Sequence, residues 1–287
     1  MAISARIPSG LDTDKFIPEI FGKNVLMAAR NILVVLPAID HSYEPDLVKG
    51  DTLYIPRSQV VTATEVTIGT EGVIKDPQTT ALTLTINKYY EAPVVVDYMS
   101  RRQSRVDLVS MSEQESAFAV AAKIDSTLCD LFATLNGGTA GSTGKGTDGS
   151  AVTDDVLIAC VEDLDEANAP AEGRVWGFDP SVKADILKID KFVHADYFAS
   201  DVVPTGGFRK DIYGAPLLIT NNLTANSTGN YGVYMHKKAI TCVISENMTV
   251  DRVEQPLKHQ ITINTTALWG CGELMEDWGL PVLTRLA

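Results

Sequence analysis

The chain has 287 residues and a formal net charge of -13, so it is long enough for one large domain or two ordinary ones with a sizeable buried core. A hydrophobic content of 45% with 21% charged residues excludes wholesale disorder. The densest basic spots are Arg101-Arg102 with Arg105, and Lys237-Lys238, too sparse for the basic face that dedicated nucleic-acid recognition requires.

No stretch approaches the roughly 18 apolar residues of a membrane span, and the first residues lack the apolar core of a signal peptide. The expectation is a chain folded in a reducing cytosol, with no membrane contact. Cys129, Cys160, Cys242 and Cys271 are widely spaced and form no CxxC pair, so they read as buried reduced thiols and not as a disulfide or zinc set.

Residues 1–15 are polar and without period, and read as an extended arm that orders only on something else. Apolar residues Ile17, Ile20, Phe21, Leu26 and Met27 then predict a short amphipathic helix over 16–30. From 50 to 90 the pattern is β, with strands expected over 52–55, 60–68 and 79–90; Leu82, Leu84 and Ile86 alternate with Thr83 and Thr85, the mark of a half-buried ribbon. Turn-forming segments at 69–72 and 75–78 make this a long hairpin running out and back. At about 3.3 Å per residue, ten residues out reach roughly 30 Å. A two-stranded ribbon of that length cannot bury its apolar face alone, so it should lie on another element or another subunit.

The strongest helical signal spans 110–135, where Met111, Glu115, Phe118, Ala122, Leu128, Phe132 and Leu135 mark one stripe and Ser110-x-x-Glu113 offers a capping box. Gly137-Gly138 stop it. The glycine-rich run 137–150 departs from a phosphate loop: Thr139 occupies the position of the first glycine, Gly146 follows Lys145 where Ser or Thr belongs, and a helix precedes it. It reads as a flexible surface linker between two lobes. A second amphipathic helix is expected over 153–168 with Thr153 or Asp154 as its cap, then a buried strand over 174–178, then a helix capped by Asp179 with Pro180 in its first turn. Strands follow over 215–220, 232–235, 239–244 and 249–268, the last with partners far back in sequence. The order describes an α+β chain.

No catalytic constellation emerges. His41, His194, His236 and His259 lack metal-ligand spacing and nucleophile context, and no GxSxG or GxGxxG motif occurs. The acidic groups Asp154-Asp155, 162–166, and Glu273 with Glu276-Asp277 lack calcium-loop spacing and read as solvated faces. Trp176, Trp269 and Trp278 read as core or interface anchors. The expectation is therefore no enzyme, no cofactor and no metal.

The order of segments resembles the major capsid proteins of tailed bacteriophages with the HK97-like fold. The resemblance is carried by Phe16-Ile-Pro-Glu-Ile20 with Val25-Leu26 and Asn31-Ile-Leu-Val34; by Gly50-Asp-Thr-Leu-Tyr-Ile-Pro56; by Leu82-Thr-Leu-Thr-Ile-Asn-Lys88, Val94-Val-Val-Asp97, Gln103-Ser104 and Asp107-Leu108; and by Thr205-Gly-Gly207, Ile212-Tyr-Gly-Ala-Pro216, Thr220-Asn-Asn-Leu223 and His236-Lys-Lys-Ala-Ile240. Each piece is short, and their collinear order over nearly the whole chain carries the weight. The resemblance implies an N-terminal arm and opening helix at 1–49, an extended loop (the E-loop) at 50–92, a peripheral P-domain with its long spine helix at 93–150, an axial A-domain at 151–240, and return strands at 241–287 that complete the P-domain.

It also implies hexamers and pentamers closing into an icosahedral shell around a genome, with no sequence-specific DNA binding, the virion as location and assembly in the host cytoplasm. An acidic wall that does not cling to packed DNA fits that role. The inter-subunit contacts expected are the E-loop tip, Ile68, Gly69, Thr70, Glu71, Gly72, Val73, Ile74 and Lys75, and the arm, Arg6, Ile7, Leu11 and Phe16. Residues 1–15 are too short for the long scaffolding segment that some relatives carry, which implies a separate scaffolding protein or prior trimming; a portal and a decoration protein are further candidate partners. Two alternatives stand beside this reading: an encapsulin-type nanocompartment shell of the same fold and, more distantly, an α+β enzyme using Glu273 and Asp277.

Overall fold

The computed structural model describes residues 34–46, 50–58, 62–63, 65, 68–69, 79–104, 106–137, 144–193 and 211–286. The helix expected over 16–30 and most of the strand expected over 60–68 lie outside the described residues. β1 (Thr52–Ser58) and β2 (Thr79–Thr85) pair antiparallel from Thr52 opposite Thr85 to Ser58 opposite Thr79. The strand expected over 79–90 is in fact two, because the ribbon and the body belong to different sheets. Ile86 donates its N–H to Asp51 O (2.7 Å), closing the root of the ribbon, and Lys88 opens β3 (Lys88–Asp97) in the body.

Next come α1 (Tyr98–Gln103) and the long α2 (Leu108–Asp130). The Asp107 carboxylate caps α2 by accepting from the N–H groups of Val109 (3.2 Å) and Ser110 (3.4 Å). The capping box expected at Ser110 is thus displaced: Ser110 is already inside the first turn, and the Glu113 side chain pairs with Arg252 instead. The expected stripe holds at its C-terminal end, where Leu128, Phe132 and Leu135 are buried, and is displaced before it: Met111, Glu115, Phe118 and Ala122 are only half-buried, whereas Val109, Ser116, Val120 and Ile124 face the core. Ser116 Oγ lies 2.7 Å from Thr265 Oγ1, so a polar pair sits on the buried row.

The sheet under α2 has the order β3-β9-β8, with β8 (Ile240–Gln255) and β9 (Gln260–Glu273) forming a long hairpin turned at Pro256–Lys258. β9 pairs along its other edge with β3, Lys88 opposite Trp269 and Asp97 opposite Gln260. Burial alternates along it, Ile261 and Ile263 inward and Gln260, Thr262 and Asn264 less so, because α2 covers one face only.

A second sheet has the order β10-β7-β4-β6-β5. Its members are β4 (Arg174–Phe178), β5 (Asp211–Ile212), β6 (Ala215–Ile219), β7 (Tyr231–His236) and β10 (Gly279–Leu283), with β4 and β6 parallel. α3 (Asp154–Glu166), α4 (Pro180–Ile186) and α5 (Asp190–Val193) accompany it. Asp179 caps α4 as its position before Pro180 predicts, accepting from Ser181 N–H (3.1 Å). Thr153 stands at the start of α3 with no side-chain cap bond. Every residue of β4 and β7 is buried. Leu157, Cys160 and Leu164 of α3 pack with Trp176, Phe178 and Tyr234, while Phe132 and Leu135 pack with Val175, Val233 and Met235.

The chain's last described strand, β10, joins β7 in this second sheet and not the β3-β9-β8 sheet. It also anchors the glycine-rich segment. Lys145 donates its N–H to Pro281 O (3.0 Å) and accepts from Leu283 N–H (2.8 Å), and Gly149 N–H reaches Thr284 O (3.2 Å). Residues 144–150 are therefore a strap pinned to an edge strand and not the free linker that their composition suggests. At Gly146, with φ +91°, an added Cβ would come within 2.7 Å of Leu283 O, so glycine here serves close backbone approach.

Candidate assembly surfaces

Among its described residues the ribbon has its buried side chains at the root. Ile55, Leu84 and Ile86 are buried at its root, while Tyr54, Pro56, Arg57 and Ser58 on β1, and Thr80, Ala81, Thr83 and Thr85 on β2, are exposed. The alternation that predicted a half-buried ribbon holds on β2 because Leu84 lies over Gly272 and the chain at 85–86 lies over Gly270, where any Cβ would be closer than 3.0 Å. Between root and body, Tyr43, Ile55, Pro56, Leu82, Leu274, Met275 and Trp278, together with the charged Arg57 and Lys238, line a hollow of about 220 Å³.

Of the expected tip residues, Ile68 and Gly69 form a turn, Ile68 fully exposed and Gly69 at φ +95°. Thr70, Glu71, Gly72, Val73, Ile74 and Lys75 lie outside the described residues, as do the arm residues Arg6, Ile7, Leu11 and Phe16.

Where the arm joins the body, the structure shows an anchor that sequence reasoning missed. Asp125 on α2, only 1% exposed, accepts from Val35 N–H (3.0 Å) and from Asn222 Nδ2 (2.9 Å). A buried carboxylate needs such partners. Five residues on, Asp40 forms a parallel bridge to Thr241 at the outer edge of β8. The available signal was a carboxylate among the small and apolar residues of a long helix, on the same row as Leu128.

The second face of the β3-β9-β8 sheet is open. Tyr89, Glu91, Val95 and Asp97 of β3 and Asp251 and Val253 of β8 are exposed on it, next to Asn264, which donates to Glu91 (3.2 Å). Thr262 Oγ1 and Asn264 Oδ1 on the same face are shielded from water without a hydrogen-bond partner. At the far end of the hairpin Leu257 is 98% exposed, beside a polar hollow lined by Tyr98, Arg101, Arg102 and Glu254.

The residues considered for catalysis are dispersed. His41 Nε2 lies 2.7 Å from Leu36 O; buried His236 accepts from Lys238 N–H, packs edge-on to Trp278, and is shifted below the usual histidine range by burial. His259 stacks edge-on with Tyr98, and His194 lies outside the described residues. Glu273 bonds Thr134, while Glu276 and Asp277 are exposed in a turn. Cys129, Cys160 and Cys242 are buried and Cys271 half-buried, all four free; burial raises their thiol pKa values, to about 12 for Cys160. Among the described residues no group of three or more His, Cys, Asp or Glu could hold a metal ion.

Residues 79–254 match the family model described as phage capsid protein. No curated protein sequence matches the chain. Among solved structures, one titled Mycobacterium phage Che8 is similar at 20% identity and TM-score 0.78, covering 93% of this chain and 97% of that one. The capsid of cyanophage P-SCSP1u is similar at 16% identity and TM-score 0.76 (96% and 94%), and the capsid of a native GTA particle at 10% and 0.69 (99% and 100%). The family match runs from the first residue of β2 through nearly all of β8, and with it the chain belongs to the phage capsid protein family, in a fold of the HK97 type.

Proposed function

We propose that this chain is a major capsid protein whose copies close the head shell by laying their ribbons and arms on one another. Its role is structural, and its place is the capsid of the virion. The observation that carries the reading is the family match over 79–254. The ribbon's burial supports the mode of assembly: its described residues have a core only at the root, so its exposed strands offer surface that a neighbour can cover. Many modest contacts of this kind add up through multivalency.

Within that reading, 50–92 serves as E-loop and Ile68–Lys75 as its contact tip; Arg6, Ile7, Leu11 and Phe16 serve as arm contacts. The P-domain comprises 93–150 completed by the return strands at 241–287, and the A-domain 151–240; within the return segment, β10 pairs with β7. Hexamers and pentamers, assembly in the host cytoplasm, and a separate scaffold, a portal and a decoration protein complete the picture. The charge of -13 favours a wall that encloses DNA without gripping it. Neither a nanocompartment shell nor an enzyme is favoured by the family match.

The test is deletion of residues 69–74, followed by negative-stain microscopy and circular dichroism. The expected outcome is a folded subunit that builds no shells. Normal particles from the deletion variant would overturn the assignment of the ribbon.

A further inference from the structure

β8 and β9 place Cys242 directly opposite Cys271. The type of that pair follows from the edge of β8. In the parallel bridge at Thr241, Asp40 N–H donates to Ile240 O (3.3 Å) and Cys242 N–H donates to Asp40 O (3.4 Å). The backbone groups of residues 240 and 242 therefore point outward, away from β9. Ala239 has the opposite parity, and its carbonyl accepts from Leu274 N–H (2.8 Å) on the β9 side. Cys242 and Cys271 are thus a non-hydrogen-bonded pair, the kind in which opposed Cα atoms stand about 4.5 Å apart and side chains approach most closely. That spacing falls within the roughly 4.4–6.8 Å that a disulfide spans.

Both thiols are free and both belong to the core beneath α2, Cys242 fully buried and Cys271 at its margin. Cys129 on α2 and Cys160 on α3 have no comparable strand partner.

We propose that Cys242 and Cys271 form an oxidisable dithiol, a modification site that a low-molecular-weight disulfide converts into a cross-strand S–S bond. Cys271 reacts first because it retains exposure. Its thiolate attacks one sulfur of the reagent, a mixed disulfide forms, and one reagent thiol leaves. The Cys242 thiolate then attacks Cys271 Sγ, the protein disulfide forms, and the second reagent thiol departs. The two protein thiols are oxidised, losing two protons and two electrons, as one reagent disulfide is reduced to two thiols.

Burial keeps both thiols protonated at neutral pH, Cys242 up to about 12, so conversion is slow and the dithiol persists where the surroundings are reducing. The bond would close the whole β8–β9 hairpin beneath the ribbon's root, where Gly270 and Gly272 meet Thr85, Ile86 and Leu84.

The experiment uses the full-length protein, incubated folded with cystamine, quenched in denaturant with N-ethylmaleimide and analysed by intact mass and peptide mapping. The expected result is loss of two hydrogens, two of the four thiols left unlabelled, and a peptide linking Cys242 to Cys271. The oxidised form should melt about 5–10 °C higher. In Cys242→Ser, the cysteamine adduct should accumulate on Cys271 with no internal bond; if that variant does not fold, the wild-type map alone decides. All four thiols still labelled in the folded protein, or a link involving Cys129 or Cys160, while a urea-unfolded sample oxidises freely, would overturn the proposal.

Discussion

The two body sheets of this chain are built from similar residues and treated oppositely by their surroundings. In the β10-β7-β4-β6-β5 sheet the central strands are buried on both faces, with α3 and α4 on one side and Phe132 and Leu135, just after α2, on the other. In the β3-β9-β8 sheet α2 covers one face, and the other presents Tyr89, Val95 and Val253 to solvent. The first lobe is closed by its own chain, down to the strap at 144–150. In the second, with the ribbon rooted beside it, the described residues leave the face away from α2 exposed. The described residues thus divide into a lobe with a double-sided core and one with a single-sided core.

That division can be broken by mutation, and the largest effect belongs to the closed lobe. Trp176 is fully buried, stacks on Tyr234 at 3.8 Å between ring centroids, and donates Nε1–H to Ile212 O. Trp176→Ala should cost about 3–5 kcal/mol in urea denaturation of the subunit; a loss near zero would mean the lobe does not depend on its double-sided core.

Asp125→Ala comes next. It leaves Val35 N–H and Asn222 Nδ2 without their acceptor, at about 2 kcal/mol. Faster proteolysis within the first 40 residues, read by mass spectrometry, should accompany it; unchanged cleavage would show that the arm is not held through Asp125.

The pH dependence is smaller. Burial raises the Asp154 pKa, but hydrogen bonds from Lys191 and Tyr213 outweigh it, so the folded value lies below the unfolded one. The stabilisation is therefore present above the unfolded pKa, near pH 4, and is lost as pH falls through the lower folded value. Asp154→Asn should remove that loss on acidification below about pH 5, an effect under about 1 kcal/mol for an ion pair with a half-exposed lysine. An unaltered stability profile over that range would show that the trio is not formed in solution.

The smallest effect is on the open face: Val95→Thr and Val253→Thr should each change subunit stability by less than about 0.5 kcal/mol. A loss of several times that would show that the face is covered within the isolated subunit, and the contrast between the sheets would fail.

Much of the fold was legible in residue order. The cap at Asp179 before Pro180, the apolar run at 174–178 and the alternation of Leu82, Leu84 and Ile86 each reflect local chemistry: a side chain short enough to reach a free N–H, a strand buried on both faces, a strand buried on one. The surfaces were less legible. The buried row of α2 was read correctly at Leu128 but not before it, because Ala, Ser and Val populate several rows of that helix, and the docked sheet selects the one bearing Ser116, Val120 and Ile124. The glycine-rich run 144–150 has the composition of a linker, yet glycines also permit the close approach that β10 requires. The anchor at Asp125 joins residues 90 and 97 positions away, and no local pattern records such a distance.

By itself the sequence located α2, α3, β4 and α4, and through the order of its segments the family, because propensity, capping and periodicity act over a few neighbouring residues; the stretches expected over 79–90 and 249–268 each prove to span two strands. Only the tertiary structure decided which helix row is buried, which sheet face stays open, where the arm is tied and which cysteines face each other. Those outcomes depend on the register and docking of elements distant in the chain, and a single side chain acquires its partner only when both are in place.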